Sequence, residues 1–255
     1  MTAGVSGSDL LHLLFAVAGL LAVAAAAGRW RGTGQTRDVL VVTGRAVVQL
    51  LAVGLVVRVV FGTPGLAPLY LLLMLGAASY TSARRLGELR GTWPATAAAI
   101  TAGAGTATGV VLLTGALGWD ARTVVPLAAQ LIGGSMTATT LAALRLADDV
   151  SAQWAEVEGW TALGARPRRA VDRLARAAAG RALVPALDQT RNVGIVVLPG
   201  AFVGLLLGGA TPLEAGRVQL LVLVGLLAAE TVAAALVTTL LADRFGRRRP
   251  EGAMR

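Results

Sequence analysis

The chain has 255 residues, 55% of them hydrophobic and only 15% charged; a soluble domain carries about a quarter charged residues, so much of the apolar surface here has to face lipid. It has no cysteine and one histidine, which excludes disulfides, thiolate metal sites, His-paired haem and multi-histidine metal centres. All 23 basic residues are arginine, against 14 acids, for a net charge of +9; without lysine there is no retinal Schiff base and no lysine-bearing phosphate loop, so the chain is not by itself an ATPase.

Seven apolar runs follow in order: 10–27, 39–61, 66–80, 95–117, 124–146, 193–207 and 218–242. At about 20 residues per crossing they use more than half the chain. They predict an all-α, polytopic membrane protein with seven transmembrane helices, in which residues 1–255 form a single transmembrane domain. The first run reads as a retained span, because nothing basic precedes it and no convincing cleavage site ends it. Alternate connections carry 19 of the 23 arginines against 2 on the other side, with Arg45 and Arg58 inside the second run. By the positive-inside rule the N-terminus is outside and the C-terminus cytoplasmic, which places the chain as a multi-pass protein of the plasma (inner) membrane. The basic charge follows membrane sidedness and forms no stripe with interleaved aromatics, so no nucleic-acid partner is expected.

The fifth span reads Gln130, Gly133, Gly134, Ser135, Thr137, Thr139, Thr140. The sixth carries Pro199, Gly200, Gly204 and Gly208, three glycines at four-residue spacing, which suits close helix packing. Proline and polar residues in these spans also suit the lining of a route. Between them, residues 147–191 form the one soluble stretch of any size, with two amphipathic segments. In the first, Val150, Trp154 and Val157 share a face with Trp160 at its edge; in the second, Val171, Leu174, Ala175 and Ala178 make a stripe that Pro185 is expected to end. Two readings remain open from the pattern: helices lying under the lipid headgroups, or helices that dock into a partner protein. In the seventh span Glu230 is the acid deepest in hydrocarbon. Gln219 lies eleven residues earlier, which at about 100° per residue returns it to within about 20° of the same face. An acid there needs a partner, a route to water or a function.

Several blocks in order resemble a known family. They are PLAAQLIGGSM (126–136), Arg145, VEGWTALGA (157–165), ALVPALDQTRNVGIVVLPG (182–200) and ATPLEAGRVQ (210–219). VEGWTALGA looks like the cytoplasmic coupling loop of ABC-transporter permeases, with Glu158 followed six residues later by Gly164. The wider arrangement resembles the FetB-type iron-export permeases, to which plant aluminium-sensitivity proteins are related. The chain departs from that pattern at Ala129, Gly134, Trp160 and Leu205. The resemblance implies the membrane permease of an ABC transporter, exporting iron or another metal species. It further implies a cytoplasmic ATPase subunit that docks on Val157, Glu158, Trp160, Leu163 and Gly164 of the 147–191 coupling loop, and a second copy of the permease beside the first. The chain itself would be no enzyme and hold no cofactor, ATP being bound by the partner. Gln130, Thr137, Gln219 and Glu230 are the candidate pathway residues, and no metal-ligand set is assigned. Two other readings stay open: a proton-coupled secondary transporter working through Glu230, and a non-transporting membrane scaffold or receptor.

Overall fold

The computed structural model describes residues 7–32, 34, 36–87 and 91–247. Arg90, Arg248, Arg249 and Arg255 of the sidedness count lie outside them, as do residues 1–6. Among the described residues the ordered elements are helices, with one isolated bridge between Val193 and Val197 and no strand. Five helices are long and apolar enough to cross a membrane.

The chain divides into two units, Met1–Gly62 and Thr63–Arg255. The first is a hairpin of α1 (Gly7–Arg31) and α2 (Thr36–Gly62). No side chain of α1 is buried, and Val60 is the one buried on α2. Helices apolar all round and uncovered by protein are suited to hydrocarbon.

The second unit holds the core. After a short 3₁₀ turn (Pro64–Leu66) come α3 (Ala67–Arg85), α4 (Trp93–Leu113) and α5 (Ala121–Ala152). Then follow α6 (Trp154–Ala162), α7 (Pro167–Ala170), α8 (Asp172–Ala182), α9 (Val184–Arg191), α10 (Gly200–Leu207) and α11 (Pro212–Arg247). Local sequence sets the starts. Pro68 and Pro94 occupy the first turns of α3 and α4, where no intrahelical N–H bond is lost. Asp120 caps α5 by accepting from the Thr123 N–H at 3.1 Å and its hydroxyl at 2.7 Å. Thr211 and Glu214 form a reciprocal capping box on α11: the Thr211 N–H donates to Glu214 Oε2 at 2.9 Å, and the Glu214 N–H to Thr211 Oγ1 at 3.3 Å.

α4, α5 and α11 pack together, with α3 against α4 and α5. Leu131 meets Gly225 and Gly134 meets Leu226 and Glu230, while further along both chains Leu146 shares a core with Leu241 and Phe245; α5 and α11 therefore run parallel. Gly103 of α4 faces Ser135 and Ala229 at their shared crossing. The 32 and 36 residues of α5 and α11 span about 48 and 54 Å at 1.5 Å per residue, well beyond a hydrocarbon core of about 30 Å. Both run past their apolar stretches because backbone hydrogen bonding continues into the aqueous zone once the helix is started.

Three expectations change here. The stripes of the connecting segment are neither under headgroups nor inserted in a partner. Val150, Val157, Val171, Leu174, Ala175 and Ala178 are buried in one core with Val237, Leu241 and Phe245, so their apolar faces are consumed by α5 and α11. Pro185 opens α9 rather than ending a helix, its lost N–H falling in a first turn. The sixth run is also not one helix over 193–207. Residues 193–197 close a tight loop in which the Asn192 carbonyl accepts from the N–H groups of Ile195, Val196 and Val197, and Pro199, extended, starts an eight-residue helix. Eight residues rise about 12 Å, too few for a helical crossing by themselves.

Candidate functional site

At one end of the second unit α5 breaks at Gln153 (φ −117°, ψ 30°), and α6 starts on the next residue. The joint is held from α8. Arg173 donates to Gln153 Oε1 at 2.8 Å and to Glu156 Oε2 at 2.6 Å, Arg181 pairs with Asp149, and Arg145 donates to the Arg181 carbonyl. Val157 faces inward, fully buried. Trp154 packs partly buried on the same core, its indole N–H unpartnered. The other side of α6 is open. Glu158 is exposed, Trp160 is 52% exposed and Leu163 82%. Gly164 follows with φ +91°, a left-handed turn that spares the chain the penalty a Cβ would incur. Of the five loop residues singled out from sequence, Val157 is thus the internal anchor, and Glu158, Trp160, Leu163 and Gly164 form a projecting tip. Two large apolar side chains displayed beyond the helices that bear them are a surface suited to a protein groove.

Of the pathway candidates, Gln219 is buried on α11, with its carbonyl oxygen unpartnered. Glu230 is half-buried on the same helix and turned to α5, where a Cβ on Gly134 would lie 2.8 Å from Glu230 Oε1. Gln130 and Thr137 are exposed on α5, one turn either side of Gly134, and the Thr137 hydroxyl donates to the Gly133 carbonyl at 3.1 Å. Of the packing glycines, Gly134 lies at a helix contact. Gly133, Gly200 and Gly204 have nothing within 4 Å of where a Cβ would stand, Gly208 meets only carbonyls of its own helix, and Pro199 is the cap of α10. Sequence reasoning missed Gly103, whose Cβ would lie 2.4 Å from the Ala229 carbonyl and 2.8 Å from Ser135 Oγ. Ser135 and Thr139, among the polar residues read along the fifth span, are both fully buried with unpartnered hydroxyls. Among the described residues no three His, Cys, Asp or Glu side chains gather as a metal-holding group.

Comparison with known proteins places these features in a wider set. The family model described as an uncharacterised protein family (UPF0014) matches residues 11–245. The chain is 33% identical to the UPF0014 membrane protein STAR2 of Oryza sativa subsp. japonica, covering 88% of this chain and 80% of that one. It is 34% identical to Protein ALUMINUM SENSITIVE 3 of Arabidopsis thaliana, over 77% of this chain and 72% of the other. It is also 29% identical to the probable iron export permease protein FetB of Escherichia coli (strain K12), over 82% of each. No solved structure matches. Together with five apolar helices of crossing length, these likenesses make the chain a multi-pass membrane protein, in keeping with a place in the plasma membrane.

Proposed function

This chain belongs to the UPF0014 family of membrane proteins, and on that footing we propose that it is the permease of an ABC transporter that moves iron or another metal species out of the cytoplasm, powered by a separate ATPase subunit. The observation that carries the reading is the tip of α6. Trp160 and Leu163 stand exposed beside Gly164, on a helix joined directly to α5 and clamped to α8. A push on that tip is transmitted to α5 and through it to α11. ATPase subunits that close on each other in pairs would drive two such permeases between inward-open and outward-open arrangements. The metal as cargo is suggested by the name of the Escherichia coli relative.

Parallel packing of α5 and α11 also supports seven crossings. A chain leaving the end of α5 and re-entering at the opposite end as α11 has to recross between them, and residues 192–211 are what is left to do it. The sixth crossing is then a broken one, with loop, proline and short helix in place of a continuous span. Irregular backbone at membrane depth is tolerated where protein or a water-filled cavity surrounds it. With α1 and α2 the count is seven, the N-terminus external and the C-terminus cytoplasmic.

The test is co-purification with an ATPase encoded beside the gene. Glu158→Arg and Gly164→Val should abolish transport-linked ATP hydrolysis while the permease still inserts and remains stable. Undiminished ATPase binding and activity in both variants would remove the coupling role. A scaffold or a proton-driven carrier would co-purify with no ATPase at all.

A further inference from the structure

Glu230 is an acid with no neutralising partner. It makes no hydrogen bond or ion pair among the described residues, and the ion pairs of the chain lie elsewhere. None of the neighbouring elements brings a charge to it. α4 and α10 contain no acidic, basic or histidine side chain, nor does α5 from 126 to 144, and from 218 to 242 on α11 Glu230 stands alone. The charges of α8 and α9 are tied up in pairs: Asp172 with Arg176, Arg173 with Glu156, Arg181 with Asp149, and Asp188 with Arg191. Arg168 and Arg169 belong to α7, which meets α11 at Gly246, sixteen residues beyond Glu230.

The space around the carboxyl is built. Gly134 leaves room for it on α5, a Cβ there being 2.8 Å from Oε1. The next residue, Ser135, is fully buried with its hydroxyl unpartnered, and so is Thr139 one turn on along the same face. Ser135 Oγ and the carbonyl of Ala229, the residue before Glu230, both approach Gly103 at one helix crossing. Further along, the buried hydroxyls of Ser82 and Thr140 are hydrogen-bonded to each other at 2.9 Å. A lone carboxylate in hydrocarbon is neutralised by one proton. It is not matched to a multivalent ion, which needs several ligands, and no trio of ligating acids or histidines stands nearby among the described residues.

We propose that Glu230 is a proton-exchange site, seated where Gly134 leaves room for its carboxyl on α5. In the exchange the O–H bond of the carboxylic acid breaks, the proton passes to a water molecule, and the electron pair stays on the carboxylate. The inference rests on the permease reading for its purpose but not for its test.

The experiment uses the full chain in lipid nanodiscs, with neither ATPase nor metal present, so it can fail while the transporter reading stands. Dicyclohexylcarbodiimide partitions into the apolar phase and adds only to a protonated carboxyl. Intact-mass measurement should find one adduct per chain at pH 6 and none by pH 9. Peptide mapping should place it on Glu230, Glu230→Gln should lack it, and Glu230→Asp should keep it. An absent adduct, an adduct mapped elsewhere, or labelling undiminished at pH 9 would each overturn the proposal.

Discussion

Gly103 stands where α4, α5 and α11 come closest, and a Cβ there would lie 2.4 Å from a backbone oxygen that cannot move aside. Gly103→Ala is therefore expected to destabilise the chain by about 1–3 kcal/mol, the usual range for overpacking. Gly105→Ala, two residues on with nothing within 4 Å, should be neutral or stabilising by up to about 1 kcal/mol. Thermal unfolding of the two variants in detergent compares them directly. Asp120 gives a pH-dependent counterpart at the same scale. The Thr123 hydroxyl, chiefly, holds its carboxyl below the ordinary carboxylate range. A group lowered in the folded state adds stability above its unfolded value and loses it as pH falls through the folded one. The stability gap between the native chain and Thr123→Val should thus be largest near neutrality and close on acidification below the ordinary carboxylate range; a gap unchanged by acid would deny Asp120 its capping role.

At the scale of elements, α6 is a short helix whose position depends on neighbours. Arg173 fixes it through Gln153 and Glu156, but both members of the ion pair are largely exposed, so the pair is worth less than about 1 kcal/mol. Arg173→Ala should accordingly leave the melting temperature nearly unchanged, yet amide exchange over 154–162 should quicken while 127–146 on α5 stays protected. Equal loosening of both segments would show that the joint is not separable. If the tip docks on an ATPase, Trp160→Ala and Leu163→Ala should each weaken that association at least tenfold, as buried apolar anchors do, with no loss of membrane insertion. The sequence pattern marked the apolar faces around Val157 and Leu174 but could not say what covers them, because lipid, a partner and the chain's own helices all ask for the same stripe. The structure assigns them to the core and leaves Trp160 and Leu163 as the exposed remainder.

For the whole molecule, the proposed seven crossings and the arginine asymmetry fix opposite sides for opposite ends. A reporter fused after Arg255 should be cytoplasmic and one inserted at Gly65 external. If both reported from one side, the 192–211 segment would not cross, since it is the crossing with the least helix in it.

What the sequence alone determined was the membrane as solvent, the helical class, the family and most of the long helices, because apolar length and arginine bias are one-dimensional quantities set by bilayer thickness and sidedness. Tertiary structure decided what depends on which helices meet: the parallel pairing of α5 and α11, the broken sixth segment, and the seating of Glu230 against Gly134. It also brought together Gly103, Ser135 and Ala229, whose encounter is set by the crossing of three helices and has no counterpart in spacing along any one of them.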